Sequence, residues 1–263
     1  MEILVCVRRV PDTSENEIEL NGARNDIERD ELVYSINEPD NYAVEEALRM
    51  VAKIGGNVTV VTVGGEDDEE VLRREMAMGA NAGALITDAE FSGSDGRGIA
   101  TILKAFVQKR SFDLILTGVQ AEDGGAQIGG MLAALLDYPF ASLVNSIEVL
   151  EGRKLKVSRE IEGGSKEMNE IDLPCVLSIQ TGINEPRYVG MRGIRQVAAI
   201  PIPTFNASQL GIDGSTVGES AAKVKRVDYF VPSLGEGAEI LHGSREENID
   251  KVLELISAKG GLK

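Results

Sequence analysis

The residues best suited to chemistry lie in one stretch, 113–139, reading DLILTGVQAEDGGAQIGGMLAALLDYP. Thr117, Gly118, Gln120, Asp123, Gly124, Gly125, Ala126 and Gln127 form a polar, glycine-bearing run between two apolar ones, the second beginning at Ile128. A helix that starts after such a run has first-turn N–H groups without intrahelical acceptors, and its dipole places positive charge beside them. Both favour a phosphate. Gly124 and Gly125 allow the backbone to approach a ligand closely. The predicted chemistry is a nucleotide phosphate held by backbone groups. The run is neither GxGxxG nor GxxxxGK[ST]. A plain strand-to-helix connection, with glycines for compactness, is the other reading of the same residues.

Other chemistry has little to stand on. There is no GxSxG elbow, and the single histidine, His242, sits in a polar tail and completes no triad. Cys6 and Cys175 each lie in an apolar run and read as small buried side chains. The carboxylate pairs Glu45/Glu46 and Asp67/Asp68 read as solvated helix faces. No lysine lies in residues 118–130, and only Arg8 and Arg9 flank the first strand, which argues against phosphoryl transfer. Two classes remain: an enzyme using nucleotide phosphates, and a non-catalytic or electron-carrying subunit. A net charge of -16, from 27 basic and 43 acidic residues, argues against bulk nucleic-acid binding. No stretch resembles a signal peptide or a membrane span, which predicts a cytoplasmic protein.

The elements that must position these residues follow from the pattern. Residues 3–7 form an apolar strand at the very start, expected at the centre of a parallel sheet. Asn37, Glu38, Pro39 and Asp40 open a helix whose apolar stripe is Ala43, Val44, Ala47, Leu48, Val51 and Ala52. Strands at 57–63 and 82–87 alternate with helices at 66–78 and 96–109. With the 113–139 unit this makes four strands alternating with helices, hence a parallel α/β sheet with right-handed crossovers. The strand ends near Val10, Val63, Ala89 and Gln120 form the ligand edge. Beyond Pro139 the rhythm changes to a hairpin, 143–150 with 154–161, and further strands at 166–171 and 173–180, so the sheet is extended by antiparallel strands. From Asn184 the chain reads as loop. Residues 204–238 are too thin to form a core, and 244–258 form an amphipathic helix with Ser244 and Glu247 as a capping box. The division is an α/β nucleotide-binding domain over 1–190 and a recognition segment with a C-terminal arm over 191–263.

Several segments carry a family resemblance: VRRVPDT at 7–13, INEPDNYAVEEALR at 36–49, LTGVQAEDGGAQIGG at 116–130, REIEGGSKE at 159–167, and LPCVLSIQTGINEPRY at 173–188 followed by MRGI. In order and spacing the chain resembles the beta subunit of electron transfer flavoprotein over nearly its whole length. The resemblance implies a Rossmann-like α/β domain, a C-terminal arm that embraces an alpha subunit, and one FAD mainly on alpha at the subunit boundary. It implies AMP buried in the beta subunit, electrons arriving from flavin dehydrogenases such as those for acyl-CoA, and a membrane quinone oxidoreductase as acceptor. The electron-bifurcating branch instead holds a second FAD in beta, reduced by NADH.

Carried over by the resemblance, the adenosine phosphate lies against Cys6, Asn37, Val63 and the run Asp123, Gly124, Gly125, Ala126, Gln127 and Ile128, with Asn37, Glu38, Pro39 and Asp40 covering the adenine or ribose. The segment with Tyr188, Met191, Arg192 and Ile194 resembles the loop that docks partner dehydrogenases, Met191 being its projecting anchor. Three departures stand out. Thr13 replaces an aromatic that ordinary members place near the flavin, Arg195-Gln196-Val197-Ala198-Ala199 replaces a lysine-rich run, and the phosphate turn is one residue short. The short turn favours AMP over FAD in this subunit.

Overall fold

The computed structural model describes residues 1–121, 125–233, 235 and 237–261. β1 (Glu2–Cys6) has Ile3, Leu4 and Val5 at zero exposure, so it needs neighbours on both edges and layers on both faces. A short ribbon follows, β2 (Arg9–Pro11) pairing antiparallel with β3 (Tyr34–Ile36). Pro11 closes the outer end of the ribbon, a position that needs no amide donor. α1 (Glu38–Ile54) opens at Asn37 with Pro39 and two acids in its first turn, and stops at Gly55, where φ is 78°.

β4 (Asn57–Val63), α2 (Glu69–Met78), β5 (Ala82–Ile86), α3 (Gly96–Gln108), β6 (Leu114–Gly118) and α4 (Ile128–Leu136) complete the alternating half. Asp95 caps α3 by accepting from the Gly98 amide. Then come β7 (Phe140–Leu150), β8 (Lys154–Ile161), β9 (Ser165–Asp172) and β10 (Cys175–Ile179). Next are α5 (Met191–Val197), β11 (Thr204–Phe205), α6 (Ala207–Leu210), α7 (Gly218–Ala221) and α8 (Arg245–Ala258).

Among the described residues one nine-stranded sheet runs in the order β11-β5-β4-β1-β6-β10-β7-β8-β9. β1 is central and parallel to both β4 and β6. β10 pairs parallel with β6 and with β7, and only the β7–β8–β9 meander is antiparallel. Side chains alternate across β1: Ile3 and Val5 join the core under α1 and α2, while Leu4 joins Ile102, Phe106 and Leu132 under α3 and α4.

The C-terminal third holds more structure than its composition suggests. α5 stands where loop was expected, because it packs on α2 and gains partners that a seven-residue helix lacks by itself. β11 adds to the β5 edge, and Phe205 meets the Phe106 ring edge-on at 5.5 Å. Ala207, Leu210 and Val217 are buried in the α3 core, so the stretch after β11 lies on its own domain. Farther on, Val224, Val227, Phe230, Val231 and Ile240 are exposed.

Candidate functional site

The sheet order reverses between β1 and β6. From β1 the chain moves outward through β4 and β5, then returns to β6 on the other side. Open α/β sheets form a crevice beyond the carboxyl ends at such a point. Cys6 ends β1 opposite Thr117 of β6, and Val63 ends the neighbouring β4.

Two side chains of the α1 entry hold the turn leaving β6. Asn37 donates from Nδ2 to the Gln120 carbonyl at 3.0 Å, and the Gly118 amide donates to Asp40 Oδ1 at 2.8 Å. A Cβ on Gly118 would overlap Asp40 Oδ1 and come within 2.8 Å of Pro39 Cβ, so this close seam requires glycine. Both Asn37 and Asp40 are buried; Pro39 is half-buried and Glu38 is exposed. Burial pushes the Asp40 carboxyl up to about 7, against the lowering effect of bonds from Asn37, Gly118 and Arg8. Burial, with Asp40 nearby, also pushes the Cys6 thiol far above its ordinary value, so Cys6 is a neutral neighbour here and no thiolate nucleophile.

On the far side of the crevice, Gly125, Ala126 and Gln127 lead into α4. Ala126 adopts a left-handed backbone, φ 42°. Gln127 occupies the N-cap without a side-chain cap bond, so the first-turn amides of Ile128, Gly129 and Gly130 have no acceptor inside the helix. The Gln127 side chain lies toward the start of α3, where a Cβ on Gly96 would come within 2.9 Å of its Oε1. α4 sits directly on the strand ends: a Cβ on Gly129 would overlap Ser178 Oγ and come within 2.9 Å of Thr117 Oγ1. Those two hydroxyls are bonded to each other at 2.9 Å and buried, so each satisfies the other under the helix. The expected phosphate contacts Asp123 and Gly124 lie outside the described residues.

Next to Val63 the same edge opens into a cavity of about 300 Å³ lined by Arg8, Arg9, Arg29, Tyr34 and Asp68. The Arg9 guanidinium lies over the Tyr34 ring at 3.8 Å and faces Glu70 at 3.5 Å. Arg8 and Arg9 are visible as strand-flanking cations, whereas Arg29 and Tyr34 are not. The β2–β3 ribbon, a pairing over more than twenty residues, brings Tyr34 to Arg9. Among the described residues no group of three or more His, Cys, Asp or Glu is placed to hold a metal.

The segment after β10 forms a second cluster. Tyr188 is 93% exposed and Met191 66%, with Arg192 and Ile194 also at the surface. Glu45 departs from the solvated face expected for it. It is buried and takes Arg187 Nε at 2.7 Å, Arg187 Nη2 at 3.1 Å and Arg49 Nε at 2.9 Å. Burial raises its carboxyl, but the guanidinium bonds outweigh that and hold it below the usual carboxylate range. Arg187 lies 142 residues away in sequence, so no local pattern could reveal the pair.

The electron transfer flavoprotein domain model matches residues 25–210. The chain is 33% identical, over 98% of each chain, to the electron transfer flavoprotein subunit beta of Methylophilus methylotrophus. It is also 33% identical to that of Thermoanaerobacterium thermosaccharolyticum, over 98% of this chain and 99% of the relative. The chain belongs to the electron transfer flavoprotein beta-subunit family. A further relative, subunit CarD of the caffeyl-CoA reductase-Etf complex of Acetobacterium woodii, is 34% identical over 93% of each chain. Membership carries the general role of a beta subunit in electron transfer by a heterodimeric flavoprotein. In such a flavoprotein the redox chemistry is the cofactor's. Among the described residues no helix of this beta subunit is long and apolar enough to cross a membrane.

Proposed function

We propose that this beta subunit binds AMP at the β1–β6 crevice and, with an alpha subunit, holds FAD at the subunit boundary. In this reading it passes electrons from a flavin dehydrogenase, the acyl-CoA type among them, to a membrane quinone oxidoreductase. FAD supplies the electron chemistry. This chain's residues bind, orient and exclude water. The observation that carries the reading is the placement of α4: glycine at 129 seats it on Thr117 and Ser178 and presents its first-turn amides at the strand ends. Backbone donors of that kind, with the Gln127 amide and no lysine, suit a phosphate that is held and never transferred. Asn37 and Asp40 shape the turn from beneath, which leaves Glu38 and Pro39 to cover the nucleoside. The arm beyond residue 223, with its exposed apolar side chains and α8, supplies the surface for alpha.

A second reading has its own support: FAD in this subunit in place of AMP, reduced by NADH in a bifurcating complex. The arginine-lined cavity beside Val63 offers room on the same edge for a larger ligand.

Nucleotide stoichiometry separates the two. The chain is co-expressed with its alpha subunit, the purified complex is denatured, and FAD and AMP are quantified by chromatography. One FAD with one AMP is expected. Two FAD and no AMP would establish the second reading, and no nucleotide beyond one FAD would sink both. Gly129→Ala lifts α4 off the strand ends, so it should lower AMP occupancy at least about fivefold, a cost of about 1 kcal/mol.

A further inference from the structure

The segment 184–200 is an arch stapled at both feet by charged groups of the sheet-flanking helices. At its start, Asn184 Nδ2 donates to the Tyr42 carbonyl and to Glu46 Oε2, both at 3.0 Å. Arg187 makes its fork onto buried Glu45, whose other guanidinium partner, Arg49, reaches on to the Glu185 carbonyl at 3.2 Å. At its end, Arg73 of α2 donates from Nη1 to the carbonyls of Val197, Ala198 and Ile200 at 3.0, 3.1 and 3.2 Å. Glu69 orients that guanidinium through a bond to Arg73 Nε at 2.7 Å. Carbonyls at a helix C-terminus lack intrahelical donors, and a cation there also meets the negative end of the dipole. Between the feet the inner side of α5 lies close to α2: a Cβ on Gly193 would come within 3.3 Å of the Ala77 carbonyl. The outer side carries Tyr188, Met191 and Ile194 into solvent.

This arrangement has a consequence for binding. An exposed apolar apex on a free loop would have to be ordered each time a partner docks, at a cost of roughly 0.5–1.5 kcal/mol per immobilised side chain. Here the order is already present, set by buried Glu45 and half-buried Arg73.

We propose that Glu45 and Arg73 are positioning residues for electron-transfer docking, holding 188–197 as a pre-shaped arch so that Tyr188, Met191 and Ile194 meet the dehydrogenase in one orientation. The proposal rests on the reading that Met191 is the docking anchor. The staples lie on α2 and on α1, and the entry of α1 also holds the turn after β6 through Asn37 and Asp40, so one helix touches both the docking segment and the crevice. Neither Glu45 nor Arg73 lines the crevice.

The test uses the heterodimer with Arg73→Gln, Arg73→Lys, Glu45→Gln and Met191→Ala. Hydrogen exchange needs no partner. In Arg73→Gln and Glu45→Gln the amides of 188–197 should exchange about tenfold faster, while those of β1, β4 and β6 stay unchanged. Arg73 is half-buried, so its variants keep the test alive if Glu45→Gln does not fold. Steady-state flavin reduction by a short-chain acyl-CoA dehydrogenase with butyryl-CoA is the second readout. Met191→Ala should raise KM for the dehydrogenase about tenfold or more. Arg73→Gln should raise it about fivefold with kcat, FAD content and dithionite reducibility unchanged, and Arg73→Lys should fall between it and wild type. The double variant Arg73→Gln/Met191→Ala should fall short of the product of the two, because the staple acts through the anchor. A raised KM in Met191→Ala with unchanged exchange and KM in the Arg73 and Glu45 variants would overturn the positioning role and leave docking intact. An unchanged KM in Met191→Ala, or no saturable transfer from the wild type, would overturn the docking reading and this proposal with it.

Discussion

α3 and α8 are helices of nearly equal length, 13 and 14 residues, and both carry an apolar stripe at helical spacing. In α3 the stripe is spent within the chain: Ile102, Leu103, Phe106 and Val107 are all at 2% exposure or less. In α8 Ile249, Val252, Leu253, Leu255 and Ile256 are left 41–47% exposed, although Ser244 and Glu247 cap the helix in both directions. Capping and periodicity make a helix; they do not say what covers it. The difference marks the boundary between the part of the chain that buries its own apolar stripe and the part whose stripe stays exposed, the part proposed above to meet an alpha subunit. α2 falls between the two. Its buried face is apolar at Val71, Leu72, Met76 and Met78, yet it also buries Glu75, whose two carboxyl oxygens have no hydrogen-bond partner.

Substitutions on the three helices should therefore separate widely. Phe106→Ala is expected to cost the most, about 3–5 kcal/mol, because it removes a fully buried ring that contacts Phe112 and Phe205. Denaturant unfolding measures it, and a loss under about 1 kcal/mol would mean that the α3 core is loosely packed.

Glu75→Gln comes next and is pH-dependent. Burial pushes the Glu75 carboxyl from 4.5 up to about 8, with Asp40 and Glu45 adding to the rise and Arg74 opposing it. An acid of this kind keeps its proton longer in the folded state, so the folded state loses stability as pH rises from about 4.5 to about 8 and no more beyond. The variant lacks that loss. Unfolding midpoints should coincide near pH 4.5 and diverge until, at pH 8, Glu75→Gln is the more stable by on the order of 2–4 kcal/mol. A gap that does not change with pH would mean that Glu75 is ionised in the folded protein.

Leu253→Ser in α8 should change the stability of the lone chain least, within about 0.5 kcal/mol. The same change should weaken subunit association, read by sedimentation of the complex. Equal loss in the lone chain and in the complex would erase the contrast with α3.

Much of the crevice was legible because its parts are local. The apolar 3–7 run, the Asn37-Glu38-Pro39-Asp40 helix start and the strand–glycine–helix unit at 113–139 each signal their structure within one unbroken stretch of chain, and alternation of strand and helix then dictates a parallel sheet. What was not legible depends on distance in sequence. The Glu45–Glu46 pair looks like any solvated face until Arg187 and Asn184 arrive from 138–142 residues away. The ribbon that brings Tyr34 to Arg9 has no signature in the charged stretch it bridges, and α5 is too short to declare itself.

By itself, then, the sequence determined the order and type of most elements, the cap of α8, and enough motif order to name the family. Those properties are set by periodicity, backbone freedom and near neighbours. Only the tertiary structure decided that Asn37 and Asp40 hold the turn from beneath, that Glu45 is a buried staple, and that Ala207 to Val217 belong to the core while α8 does not. A side chain's burial and partners depend on what the rest of the chain folds against it, and no local pattern carries that information.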